Sequence, residues 1–359
     1  MPSAADTLRR TPLFDRHEQA GARLVPFAGW EMPVQYEGIR QEHVAVRTDA
    51  GMFDVSHMGQ IETSGPGAER LLQRLVSNDV TKIAERGAQY SVLCREDGGV
   101  LDDLFTYRLG TDRFLTVTNA AGHERDLAWF REHAEGFDAE VKDAHADWAM
   151  LAVQGPTARA ALGRLADGEL PRRMRTAELR IAGVPCLVCG TGYTGEDGCE
   201  VMIPPDDAGA VWDALARGEV TPAGLGARDT LRLEVCYPLH GNDISPERTP
   251  IEAGLSFACA LEKDFTGVEI LRRQKHEGPD EKLVAFVMAE KAIPRPGMTI
   301  AEGGEVTSGS LSPMLNRGIG LAYVPAGLAQ PDTEVTIDVR GRSKRARVVR
   351  KPIYEREER

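Results

Sequence analysis

At 359 residues with 42% hydrophobic content, the chain exceeds the size at which a single core stops growing, and two or three domains are expected. A formal charge of −12 opposes the positive field that nucleic-acid binding needs, and no apolar run reaches the length of a membrane span, so neither nucleic acid nor membrane is expected as a partner. Met1 to Arg10 is a short lead-in without a hydrophobic signal core, and the six cysteines lie scattered in apolar runs, which reads as a cytoplasmic protein with reduced thiols.

In chain order, Thr11 opens a helical stretch to Ala22, and Val25 to Trp30 reads as an aromatic-bearing loop. Ile39 to Thr48 is an expected helix and Met52 to His57 an expected strand. Leu71, Leu72, Leu75 and Val76 recur at helical spacing over Ala68 to Val76. Tyr90 to Leu93 and Val100 to Leu109 flank the turn Asp97-Gly98-Gly99 as a hairpin, with Phe114 to Thr118 as a third strand. Helices are expected over Ala120 to His133, Pro156 to Leu165 and Asp206 to Ala216, and strands over Trp148 to Val153, Arg180 to Cys189 and Cys199 to Ile203. Gly224 to Asp229 reads as a loop entering a helix from Asp229 to Val235. Beyond Gly278 the composition turns to short strands (Leu283 to Met288, Val335 to Val339, Arg345 to Val349) between Gly and Pro turns, the pattern of a small all-β barrel. The irregular alternation before it points to α+β sheets, and no G-x-G-x-x-G opens a helix, which disfavours a dinucleotide fold.

Two carboxylates stand out. On the strand from Leu101 to Leu109, Asp103 shares a face with Leu101, Phe105, Tyr107 and Leu109, whereas Asp102 lies with Leu104, Thr106 and Arg108. Asp103 is thus the acid on the more apolar face, suited either to chemistry or to accepting backbone N–H bonds. Glu200 shares a face with Met202, opposite Cys199, Val201 and Ile203. Its two coplanar acceptors suit a ligand edge with two parallel N–H donors, or an internal arginine. Arg228, near a helix start, fits an anion site or a salt bridge. His57 has no partner at a telling spacing and reads as structural. Cys186 and Cys189 spell C-x-x-C on a strand, where they point to opposite faces, and no metal site is expected.

The ordered segments Arg10 to Leu13, Phe27 to Pro33, Gly51 to Gly59, Gly98 to Asp103, Thr191 to Glu200, Pro222 to Asp229, Gly241 to Asp243 and Lys351-Pro352 resemble the aminomethyltransferase (T protein) family of the glycine cleavage system along essentially the whole chain. The resemblance implies a three-domain cloverleaf around a central folate cavity: two α+β domains plus a C-terminal all-β barrel. The expected division is a folate-binding region over 1–277, made of interleaved subdomains 1–50 with 145–277 and 51–144, followed by a barrel over 278–359. It further implies transfer of a one-carbon unit from aminomethyl-lipoyl H protein to tetrahydrofolate, with release of ammonia. Asp103 matches the family's catalytic aspartate and Glu200 its pterin-binding glutamate. Met58, Tyr90, Val117, Asn119, Tyr193 and Arg228 match further folate contacts. Arg172, Arg173 and Met174 depart from the tyrosines that some members carry near the folate. The iron–sulfur-assembly branch, with its K-G-C-Y-x-G-Q-E type motif, is disfavoured by Thr191-Gly192-Tyr193-Thr194-Gly195-Glu196-Asp197, and no nucleotide-binding domain of the flavin-dependent oxidases precedes the matched module. A folate-dependent demethylase of a small methylated compound and a non-catalytic folate-binding module are the alternatives.

Overall fold

The computed structural model describes residues 8–356, so most of the lead-in Met1 to Arg10 and the last three residues lie outside the described part. A six-stranded sheet runs in the order Thr176–Ile181, Val184–Cys189, Gly198–Ile203, Ala149–Gln154, Gly51–Asp54, Thr221–Pro222, antiparallel except for the last pair. A five-stranded antiparallel sheet runs Ala88–Cys94, Val100–Gly110, Arg113–Thr118, Gly59–Ser64, Glu140–Asp143. The chain enters it between Asp54 and Gly59, a few residues later than the expected division after residue 50, and leaves it between Asp143 and Ala149. A third antiparallel sheet follows the helix Val268–Glu277, in the order Glu305–Ser312, Arg317–Pro325, Glu281–Met288, Ser343–Val349, Glu334–Asp338. Bridges from Thr299 to Glu305 and from Ile300 to Ile337 tie its two edges together, so the sheet rolls up as an all-β unit. The α+β class with a C-terminal all-β domain is what the sequence pattern led one to expect.

Period-two alternation positions the site. Cys199, Val201 and Ile203 enter one core with Leu151, Val211 and Trp212, while Met202 enters the layer between the first two sheets with Phe53, Tyr107 and Leu231. Glu200, on the Met202 face, therefore points inward between the sheets. The helix Leu225–Glu234 packs beside this layer through Ala227 and Leu231 and reaches the barrel-side core through Leu233.

Buried charges fasten that helix. Arg47 of the helix Ile39–Thr48 bonds Glu234, the Thr194 carbonyl, Glu196 and the Leu231 carbonyl. Glu234 also accepts from the Ser312 hydroxyl at 2.5 Å, and its carbonyl accepts from the N–H groups of Ile353 and Tyr354. Arg232 pairs with Asp243 at 2.7 Å and donates to Ser308 at 2.8 Å.

Several expected elements differ. Val25 to Trp30 is not a loop: Arg23–Phe27 and Trp30–Gln35 form a hairpin turning at Ala28-Gly29. The expected strand from Arg180 to Cys189 is likewise two strands, turning at Ala182-Gly183. In both turns the alanine and the glycine have positive φ (48° and 80°; 51° and 84°), the geometry of the tight I′ hairpin turn. The helix expected from Asp229 begins at Leu225. Gly226 belongs to it because a Cβ there would lie 2.5 Å from the Ile39 side chain, so this glycine serves close packing rather than a loop. The strand expected to reach His57 ends at Asp54.

Candidate active site

Where the first two sheets, the helix Leu225–Glu234 and the 253–257 segment meet, they enclose a cavity of about 1070 Å³. It is at the upper end of the size range of small-molecule sites. All eight residues singled out from the sequence line it: Asp103, Tyr90, Asn119 and Val117 on the five-stranded-sheet side, Glu200 and Tyr193 on the six-stranded side, with Met58 and Arg228 between them.

On the strand Val100–Gly110 the side chains of Asp103, Phe105 and Tyr107 face the cavity, whereas Asp102 is fully buried behind it. Asp103 is held at both oxygens. One accepts from the Asn119 side-chain amide at 2.9 Å and the other from the Tyr90 hydroxyl at 3.0 Å. Burial, reinforced by the charge of Asp102, pushes its pKa up to about 7, so its proton is exchangeable near neutrality. Asn119 also anchors to Asp102, through its N–H at 3.0 Å and its side-chain amide at 2.7 Å, so one asparagine fixes both carboxylates.

Glu200 stands opposite in kind. It accepts from the Thr191 hydroxyl at 2.5 Å and more weakly from Tyr107 at 3.5 Å, and among the described residues it makes no ion pair. Burial raises its pKa, opposed by Thr191 and by the charge of Arg228. An internal arginine partner, one of the two readings open from sequence, is therefore not bonded to it.

Arg228 lies in the first turn of its helix rather than in a preceding loop, and its N–H is already bonded to the Gly224 carbonyl at 3.1 Å. The backbone N–H of Arg228 itself is thus not free for the anion site that was one of the two readings open from the sequence. Its guanidinium lies 4.7 Å from the centre of the Tyr193 ring, and among the described residues it has no carboxylate within salt-bridge distance. Tyr193 is itself fixed by donating to the Pro238 carbonyl at 2.5 Å.

Other cavity residues were not singled out as functional. Tyr107 and Thr191 hold Glu200, and a threonine opening the Thr191 to Glu200 motif was the available signal. His57, read as structural, lines the cavity with a buried Nδ1 that has no hydrogen-bond partner among the described residues. Burial, with the Arg228 charge adding to it, pushes its pKa down to about 4, so the ring is neutral. Arg172, Arg173 and Met174 do form part of the wall. Among the described residues no group of three or more His, Cys, Asp or Glu side chains could hold a metal ion.

The chain matches two family models, the GCVT N-terminal domain over residues 13–263 and the glycine cleavage T-protein C-terminal barrel domain over residues 281–355. The chain belongs to the glycine cleavage T-protein family. Among its relatives is an aminomethyltransferase of Rubrobacter xylanophilus, 50% identical over 98% of this chain and 96% of that one. An aminomethyltransferase of Geobacillus kaustophilus is 47% identical over 97% of this chain and 99% of its own. The crystal structure of the glycine cleavage system aminomethyltransferase T from Bartonella henselae superimposes with a TM-score of 0.92 at 35% identity, covering 97% and 98% of the two chains. T-protein architecture thus spans the full described chain, cavity included.

Proposed function

We propose that this T-protein family member is an aminomethyltransferase that takes the one-carbon unit from the aminomethyl group on the lipoyl sulfur of H protein and passes it to tetrahydrofolate. The products are 5,10-methylenetetrahydrofolate, ammonia and dihydrolipoyl H protein. The observation that carries this reading is a single cavity faced by two half-buried carboxylates in different states: Glu200 without a bonded cation among the described residues, and Asp103 with a proton exchangeable near neutrality.

Each has a distinct task. An ionised Glu200 matches the aminopyrimidinone edge of a pterin, which offers two parallel N–H donors to a bidentate acceptor. Thr191 and Tyr107 orient it, and Arg228 with the Tyr193 ring walls the same end. The nucleophile is a folate nitrogen, so the protein needs no serine or cysteine nucleophile. As the carbon–sulfur and carbon–nitrogen bonds of the donor break, the carbon passes through an iminium-like cation. Asp103, anchored by Asn119 and Tyr90, lies in the same cavity to stabilise that charge and to carry protons between the folate nitrogen and the departing amine. Holding both reactants in one shielded cavity removes a further part of the barrier, up to roughly 7–11 kcal/mol in ideal cases. The six buried free cysteines fit a reducing, cytoplasmic setting.

The test supplies the purified protein with aminomethyl-lipoyl H protein and tetrahydrofolate. Ammonia and methylenetetrahydrofolate should appear together, faster than without enzyme. Folate binding without either product would reduce the protein to a folate-binding module, and no folate binding would overturn the reading of the cavity.

A further inference from the structure

Behind the cavity wall lies a third carboxyl group that the chemistry above does not use. Asp126, on the helix His123–His133, is fully buried, as is Asp102. Its Oδ1 accepts from Arg125 Nε at 3.0 Å and Nη2 at 2.9 Å, while its Oδ2 has no other donor among the described residues. The two acids converge at Gly122, where a Cβ would meet Asp126 Oδ2 at 2.9 Å and Asp102 Oδ2 at 3.0 Å. Both Oδ2 atoms crowd that one spot beside Arg125 Nη2, which would lie 2.6 Å from the same Cβ. Two carboxylates cannot donate to one another, so a direct bond between these oxygens requires a proton on one of them.

From Asp102 the chain of bonds leads to the cavity. Its oxygens take the Asn119 N–H, the Asn119 side-chain amide and the Asp103 N–H at 3.0, 2.7 and 3.0 Å. Asn119 then holds Asp103. His240 Nδ1 stands 3.9 Å from Asp102, beyond a hydrogen bond, and Tyr90 is the remaining titratable group on Asp103.

We propose that Asp126 is a positioning residue: as a protonated acid hydrogen-bonded to Asp102, it fixes the acceptor that orients Asn119 and, through it, Asp103. The proton stays within the pair, which carries one negative charge, and no bond forms or breaks. Burial, followed by the bond to Asp102, pushes the Asp126 pKa up to about 9, which agrees with a proton retained at neutral pH. The role in turnover rests on the catalytic reading of Asp103; the proton itself does not.

The experiment compares D126N and D126A with the parent protein, with melting temperature followed from pH 5 to pH 8.5 and turnover measured at pH 7. A group whose folded pKa is raised makes stability fall as pH rises from its unfolded value of about 4 towards its folded value. Asparagine can accept from Arg125 and donate to Asp102 without titrating. The melting temperature of D126N should therefore draw ahead of the parent by a gap that widens with pH to several degrees. D126A should lose roughly tenfold or more in kcat with folate affinity nearly unchanged, and D126N should recover most of that loss. A gap that does not change with pH would overturn the proton, and full kcat in D126A would overturn the positioning role. If D126A fails to fold, the pH-dependent gap of D126N still decides. Failure of the folate reading has a separate signature: no variant, parent included, binds folate, while the melting curves keep their pH pattern.

Discussion

Replacing Glu200 with glutamine preserves the shape of the side chain and exchanges one acceptor oxygen for a donor. In the free protein the Thr191 hydroxyl can still donate to the remaining oxygen, and Tyr107, at 3.5 Å, contributes little. No ion pair is broken, because Arg228 acts on Glu200 only through its charge. The substitution also removes a carboxylate whose pKa burial already raises, so stability without ligand should hold level or rise. A pterin would instead face an N–H where it met an acceptor, losing one charge-assisted bond and gaining a repulsion. That costs about 2–4 kcal/mol, or roughly 30- to 1000-fold in folate dissociation constant. Isothermal titration with tetrahydrofolate beside a melting curve reads both numbers. A variant that melts lower yet binds folate as before would refute the assignment and make Glu200 a structural acid.

The catalytic reading of Asp103 requires its ionised form, so kcat should rise with pH through about 7, and D103N should lose that dependence together with roughly 100-fold or more of turnover while keeping folate affinity within a few-fold. Arg228→Ala should weaken folate binding by about 1.5–3 kcal/mol, measured by titration; unchanged affinity and stability would exclude Arg228 from the site. Arg47→Met takes the guanidinium from the buried Glu234 and leaves Glu196 only the exposed Arg356, and denaturant unfolding at neutral pH should show a loss of about 3–5 kcal/mol; a change below 1 kcal/mol would show that the network is redundant.

The residues facing the cavity were easier to read than the backbone that holds them. On their strands the period of two assigned the faces of Asp103 and Glu200, but a bulge at Leu101, read from the sequence as sharing the Asp103 face, sends that side chain into the core of Leu104 instead. The two missed hairpins share one cause: both turns place alanine, not asparagine, at the first left-handed position, which mutes the usual Asn-Gly signal. The start of the Arg228 helix was hidden by Gly224 and Gly226, whose role is close approach to Val34 and Ile39, contacts far away in sequence. Asp126 gave no signal because its partner Asp102 lies 24 positions earlier, and only the folded sheet and helix bring the two acids together. His57 looked unremarkable for the same reason, since its neighbours Phe27 and Arg228 come from distant segments.

The fastening of the helix Leu225–Glu234 has a consequence for the order of assembly. The groups that satisfy Glu234 and Arg232 include Ser308, Ser312, Ile353 and Tyr354, which leave the ribosome well after the first two sheets. At synthesis rates of about 5–20 residues per second, the first two sheets have several seconds to form while that helix still lacks these bonds. The wall bearing Arg228 is therefore completed after the two sheets, and the nascent chain exposes an unfinished cavity until Ile353 and Tyr354 dock. A chain cut before Ser308 would lose more than its barrel: the helix beside the cavity would keep its ion pairs with Arg47 and Asp243 but lack the Ser308, Ser312, Ile353 and Tyr354 bonds that complete them.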